Sequence, residues 1–406
     1  MKRWAEVVVL AVSLVATAPG CFGQVGRSTI ALDQAARLYR TELDALRRDC
    51  TVRALPPVRF FLFGMGGRRK LIYLAGELKD ARSGQVLHHW DLARDWILPA
   101  EYMVVVETRE GKRVAIVEDE ESIWLDQGRS RQRIDPSSRQ QHLRLPSFAG
   151  HRHARVLRVL HQEILVNLVD GRPVPNFLVY PRPWYRDGAM MAMVLERTGN
   201  LALIKNWIVG LREPFDRNNA GEREADNPGE ILYLISRVAD RGHPLVPVVL
   251  RELKNLEKDG HIAGRTDFAS HPAYQTQWAK LGLRAIDLPD PYTVPATDDS
   301  YRGLCWWGLD QVDQRKPVRS VADLDYPYLT WARAHYESRA VGPISDRDYP
   351  LTWEANASQA AYQGMRLIDE RFFKSEICAP HTWHAAEMFL AIQEKRMDRQ
   401  KGMSRP

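Results

Sequence analysis

Cysteine is scarce in this chain. There are four in 406 residues, and three of them, Cys50, Cys305 and Cys378, stand far apart in sequence. That argues against a disulfide framework and allows one pair at most. No cysteine or histidine spacing matches a zinc site, and no metal or nucleotide cofactor is implied. A basic block is also missing. The 57 basic and 51 acidic side chains are mixed along the chain, so the net charge of +6 reads as a solvated surface. With no recognition motif beside it, nucleic acid is excluded as a partner. Beyond the N-terminus no stretch reaches about 18 uninterrupted apolar residues, so none reads as a membrane span.

The N-terminus carries a different signal. Met1-Lys2-Arg3 is a short basic segment, and Val7 to Ala18 is an apolar run too short to cross a bilayer. Small residues and Pro19-Gly20 follow, giving a bacterial-type signal peptide over residues 1–23, with Glu6 an awkward charge beside the apolar run. Two processing routes compete. Cys21 resembles a lipoprotein acceptor, but the aliphatic residue usual three positions before it is absent. Cleavage around Gly23-Gln24 instead releases a soluble protein, and this route is favoured. The expectation is export, periplasmic or extracellular, with a membrane reached only through a lipid anchor at Cys21.

Residues 24–50 read as a helix, with Leu32, Ala35, Ala36, Leu38, Leu43 and Leu46 at helical spacing. The texture then changes. Strand-like runs flank Gly66-Gly67, Ser83-Gly84 and Glu110-Gly111, so residues 51–130 read as a small β-rich module. A polar stretch at 131–150 with Pro136 and Pro146 reads as a linker. From 151 to 406 the pattern is helical, with about ten candidates: 152–168, 188–198, 201–212, 229–240, 245–258, 273–283, 299–309, 326–337, 353–369 and 381–396. A ring of helical hairpins would pack so many medium-length helices.

The loops before these helices carry the chemistry. Trp184-Tyr185-Arg186-Asp187 precedes a predicted helix starting at Gly188, with Asp187 placed to cap it. An Arg fork donates to two hydroxyls and a carboxylate accepts from two, which suits a sugar. The plainer reading is a cap, a local ion pair and two core aromatics. Asn227, Pro228 and Glu230 have the spacing of a capping box, which leaves Glu222, Glu224 and Asp226 without a structural task. Tyr274 and Trp278 share a helical face, lining a cleft or filling the core. Asp298 and Asp299 lead into Tyr301, Trp353 adjoins Glu354, and His381, Trp383 and His384 open the last helix. First-turn acids also satisfy a helix dipole, so each has a structural reading as well.

Trp184-Tyr185-Arg186-Asp187-Gly188 at the head of an apolar helix resembles the aromatic-x-Arg-Asp loop of glucoamylases and related six-hairpin glycosidases. The acidic Pro228-Gly229 stretch is similar to one in debranching-type relatives, although the Trp-Glu-Glu acid motif of glucoamylase is absent. The resemblance covers roughly 250 residues and implies a mainly α fold, an (α/α)6 toroid preceded by the β-rich module. It implies that Arg186 and Asp187 bind sugar at the point of cleavage, with Trp184 as a platform and Tyr185, Asp226, Tyr274, Trp278, Tyr301, Trp353, His381, Trp383 and His384 as further substrate contacts. Glu354 is placed as general base, and the general acid is among Asp298, Asp299 and Glu230. The implied activity is glycoside hydrolysis of an oligo- or polysaccharide by two carboxyls, inverting, at about 6.5–9.5 Å separation. The same toroid hosts polysaccharide lyases, for which Tyr185 with Arg186, or His381 and His384, would serve. A non-catalytic carbohydrate-binding or envelope scaffold protein is the remaining alternative.

Overall fold

Helix α1 (Thr29–Asp49) buries Leu32, with Ala35 and Ala36 beside it, against Trp96, Met103 and Ala115. Its Asp33 accepts from the Trp96 indole N–H at 2.9 Å and from Arg94 at 2.6 Å, which fixes the helix on one face of a sheet. The computed structural model describes residues 26–49, 60–135, 142–178, 180, 182–218, 220–267 and 269–297. Near the C-terminus it describes 370, 382, 385, 386, 389, 390, 392 and 393. The signal-peptide residues, including Cys21, and the helices read at 299–309, 326–337 and 353–369 lie outside these, as does most of 381–396. Among the described residues no helix is long and apolar enough to cross a membrane.

Strands β1 (Phe60–Phe63), β2 (Leu71–Leu74), β3 (Glu77–Asp80) and β4 (Val86–His89) form a four-stranded antiparallel sheet in sequence order. The register pairs Phe61 with Tyr73, and both strands of that pair are buried throughout. The β1–β2 loop is built around Gly64, whose φ of +109° favours glycine and where a Cβ would lie 2.4 Å from the Arg69 carbonyl. Two buried charges hold it. Glu118 accepts from the Gly64 and Met65 amides at 2.9 and 2.7 Å and pairs with Arg68 at 3.0 Å. Lys70 donates to the carbonyls of Gly64 and Gly66. The second sheet is antiparallel β5 (Leu92–Leu98), β6 (Met103–Thr108), β7 (Arg113–Glu118), β8 (Ile123–Asp126) and β9 (Arg131–Arg133), again in order.

Helix α2 (Ala154–Val166) is buried almost all round, as expected of a helix enclosed on every side. It runs straight into β10 (Leu168–Val169) and β11 (Arg172–Pro173), joined by Asp170-Gly171 with φ of +51° and +72°. Then come α3 (Tyr185–Arg197), α4 (Lys205–Val209), α5 (Asn227–Ser236) and α6 (Val246–Leu256). The last of these leads into a second small hairpin, β12 (Glu257–Lys258) and β13 (His261–Ile262), closed by Asp259-Gly260 with φ of +51° and +76°. Positive φ at both central residues is what a two-residue hairpin turn demands. Each hairpin is followed by an isolated bridge, Asn176–Tyr180 and Thr266–Ala269, and then by a buried helix, α3 or α7 (Pro272–Ala285). The helix–hairpin–bridge–helix unit thus occurs twice.

These observations overturn the mainly α toroid and the six-hairpin resemblance. The described residues contain seven α-helices and thirteen strands in four sheets, a mixed α/β fold with β structure inserted between helices as well as ahead of them. Helical periodicity concealed the two Asp-Gly hairpins, because α2 and α6 run directly into strands only two residues long, too short to show alternation. The β and helical parts also share one hydrophobic core, in which Phe60 and Tyr73 join Leu160, Met191 and Trp278.

Helices α5 and α7 carry the site described below and pack at close range. A Cβ at Gly229 would lie 2.3 Å from the Trp278 carbonyl carbon, and one at Gly282 would lie 2.3 Å from the Gly229 carbonyl oxygen. Both glycines act as spacers between backbones, since neither has positive φ. Gly229→Ala is expected to cost about 2–4 kcal/mol, above the usual overpacking range of about 1–3 kcal/mol, because backbone and not a flexible side chain must move. Urea denaturation would test this, and a loss under about 0.5 kcal/mol, the scale of neutral surface changes, would show that the helices separate freely.

Candidate functional site

Arg186 sits in the first turn of α3 and is 2% exposed. The helix begins at Tyr185, not at Gly188 as the sequence predicts, and Asp187 does not cap it. The cap is tertiary. Asp216, from the loop after α4, accepts the Tyr185 amide at 2.5 Å. Asp187 is left inside the first turn, wholly buried, where it accepts from the Thr382 hydroxyl at 3.2 Å.

Three carboxylates from two other loops meet the Arg186 guanidinium. Asp267 lies at 3.0 Å, Asp226 at 3.6 Å and Glu224 at 4.0 Å. Glu224 and Asp226 belong to the loop before α5, and Asp267 to the loop before α7. The two loops are stitched together by Ala225 N–H to the Arg265 carbonyl at 2.9 Å and by Asp267 N–H to Glu224 at 2.5 Å. Behind them Gln275 donates to the Thr266 hydroxyl at 3.0 Å, which donates to Asp226 at 2.8 Å. Glu230, in the first turn of α5, accepts from the Asn227 side chain at 3.1 Å. The expected capping box does not form, since Asp226 occupies the cap position and the Asn227 amide is turned to Glu230. Three helix starts and the Thr382 position are thereby joined in one polar network.

Six carboxyls thus crowd one guanidinium, and burial outweighs its attraction. Burial pushes Glu224 up to about 8, against the opposing pull of Arg186 and with repulsion from Asp226 and Asp267. Burial likewise lifts Asp187 and Asp216 to about 7. Asp226 is raised, and Glu230 is raised well above the usual carboxylate range, first by burial and then by Asp226. The Glu230 carboxyl hydrogen-bonds to Asp226, which fits a carboxyl that keeps its proton and donates it to its neighbour. The site is a proton-loaded carboxyl cluster around a fixed positive charge.

The aromatic candidates divide. Trp184 is half-buried at the head of α3 and its ring lies 5.2 Å from that of Tyr180, also half-buried. Tyr185 is buried, with its hydroxyl donating to the Glu213 carbonyl at 3.0 Å and its ring near Trp207, so it faces helix packing. Tyr274 is buried and close enough to Arg186 to act on it electrostatically. Trp278 is fully buried against Tyr233, at 6.1 Å between rings. Among the predicted residues, Arg186, Asp187, Asp226, Glu230 and Tyr274 share the cluster, and Trp184 stands beside it. Glu354, Asp298, Asp299, Tyr301, Trp353, His381, Trp383 and His384 lie outside the described residues. Sequence reasoning missed Asp267 and Asp216. Neither belongs to a local motif, and each reaches the site through a tertiary contact.

Among the described residues no group of three or more His, Cys, Asp or Glu has the arrangement to hold a metal ion. Comparison with protein-family models, curated proteins and solved structures finds no match to this chain.

Proposed function

We propose that the protein is an exported carbohydrate-active enzyme, a glycoside hydrolase that acts on an oligo- or polysaccharide through two carboxyls. The observation that supports this reading is Glu224, a carboxyl held protonated at neutral pH and set 4.0 Å from Arg186. Glycoside cleavage needs such an acid to protonate the leaving oxygen, and a second carboxylate to activate water or attack carbon. Glu224 keeps 4% exposure and its neighbour Asp267 more, whereas Asp226 and Glu230 have none. Glu224 is therefore the proton donor in this reading, and Glu230 stands behind Asp226 as a positioning residue. The second carboxylate is Asp267, paired with Arg186, or Glu354, assigned from the sequence. Trp184 and Tyr180 provide an apolar face at the head of α3, the helix that carries Arg186, suited to the C–H side of a sugar ring.

Reducing-end release from a panel of neutral and acidic polysaccharides tests this. Glu224→Gln is expected to lower kcat by about 10²–10⁴-fold, the usual share of general acid catalysis. The wild-type rate should fall as pH rises past about 8, where Glu224 loses its proton. Asp267→Asn and Glu354→Gln then identify the second carboxyl.

A second reading, a non-catalytic carbohydrate-binding or scaffold protein, draws on one observation: Arg186 is already engaged by three acids and is 2% exposed. Glycan binding without turnover, unchanged in Glu224→Gln, would replace the hydrolase reading with this one. Absorbance from an unsaturated uronate product would instead mark a lyase.

A further inference from the structure

A polar cavity of about 450 Å³ lies where the β1–β2 loop, the β3–β4 turn and the β10–β11 turn meet. Its walls bring together Arg68, Arg69, Lys70 and Arg82 with Asp80, Asp135 and Asp170. The charges nearly balance, so the sign of any ligand depends on which groups are already committed.

Two of the three acids, Asp80 and Asp135, are committed, and the third is exposed beside a cation of its own. Asp80 accepts from Arg69 at 2.7 Å, from the Arg82 and Ser83 amides at 3.0 and 2.7 Å, and from the Ser83 hydroxyl at 2.9 Å. Asp170 lies 3.9 Å from Arg172, and Asp135 has a partner of its own. The cations are only partly committed. Arg68 is fully occupied by Glu118 and by the carbonyls of Asp119 and Glu120. Arg69, in contrast, uses only its Nε, on Asp80, and keeps both terminal nitrogens. The Arg82 side chain makes no hydrogen bond or ion pair with any described residue. Lys70 gives two of its three N–H groups to carbonyls. Apart from the exposed Asp170 carboxylate, which faces Arg172, the spare hydrogen-bonding capacity of the charged side chains in the wall is therefore cationic, and two of the donors are guanidinium forks, the group best matched to an oxyanion.

The volume adds a second constraint. It falls in the range of small-molecule sites, about 300–1,000 Å³, and exceeds what a bare inorganic ion fills. The apolar side chains of Leu168 and Val169 form part of the wall, where an uncharged body can lie. We infer that this cavity is a binding site for a sugar-sized ligand bearing an oxyanion, a phosphate or a carboxylate, with Arg82 and Arg69 as its anchors. The site is separate from the Arg186 cluster and does not depend on the hydrolase reading.

Titration calorimetry on the full-length protein tests it, with glucose 6-phosphate and glucuronate as probes and glucose and inorganic phosphate as controls. A sugar anion should bind, glucose should not, and inorganic phosphate should bind more weakly. Which sugar anion binds tighter identifies the oxyanion. Arg82→Ala should weaken binding by roughly tenfold or more, the scale of one charge-assisted hydrogen bond, and Arg82→Lys should restore part of it. Because the Arg82 side chain bonds none of the described residues, the alanine variant should unfold at the wild-type temperature, and Glu224→Gln should leave binding unchanged. Absence of binding, equal binding of glucose, inorganic phosphate binding as tightly as either sugar anion, or affinity indifferent to Arg82 would each overturn the inference.

Discussion

Arg186→Met should destabilise the protein by about 3–5 kcal/mol at pH 8, the usual result of removing one partner from a buried ionic group. The methionine fills much of the same volume, so little of the loss is cavity formation. What is lost is the cation that faces Glu224, Asp226 and Asp267 at 4.0 Å or less. The effect has a built-in control. Carboxyls deprived of Arg186 can escape the penalty by taking up protons, and several are already poised to do so. The same substitution should therefore cost much less at pH 5 than at pH 8. Guanidinium denaturation of both proteins at the two pH values measures this. A loss independent of pH would mean that Arg186 acts through packing alone. A loss under about 1 kcal/mol at both would mean that the cluster is solvated, as surface ion pairs are.

The parts of the fold that rest on local chemistry were legible in the sequence. Gly66-Gly67 and Glu110-Gly111 each sit between β-branched or aromatic runs, and each closes a hairpin, β1–β2 and β6–β7. Asp170-Gly171 and Asp259-Gly260 carry the same turn chemistry but were read through, because strands of two residues give no alternation to detect. Without those hairpins the second half carries no β signal, and a helical ring is the packing its periodicity suggests. At the site, Arg186 and Asp226 were visible as polar residues that no cap explained. Asp267 and Asp216 were not, because what they do depends on loops that meet only in the folded chain. Asp216 caps α3 from the loop after α4, so Asp187, the residue sequence logic gave that task, is free to enter the buried cluster. The chemistry of the site thus follows from a cap displaced to a distant loop.

Proton uptake by this cluster should make the protein less stable as the solution becomes alkaline, against the common pattern for carboxylates. A carboxyl whose folded-state pKa lies above its unfolded value is held neutral by the fold. Its stability contribution is complete below the unfolded value and is lost as pH rises through the folded one. Asp187 and Asp216 each move from the ordinary 3.8 to about 7. At about 1.4 kcal/mol per pH unit, each contributes several kcal/mol between about pH 4 and pH 7 as an upper limit, since neighbouring carboxyls share protons. Two buried bases work in the opposite direction. His161, held near 3 by burial, favours higher pH up to its unfolded value of 6.5, and Lys70, held near 7, favours it from there to 10.5. The slope of the wild-type curve mixes all of these, so the decisive quantity is a difference. Asp187→Asn and Asp216→Asn keep an oxygen for the Thr382 hydroxyl and the Tyr185 amide but carry no charge at any pH. Each variant should match the wild type near pH 4 and exceed it by about 2 kcal/mol at pH 8, roughly half of the single-group limit. Urea midpoints across that range measure the gap. A gap that stays constant with pH, or that favours the wild type at pH 8, would mean that these carboxyls are ionised in the folded protein and that burial does not govern the cluster.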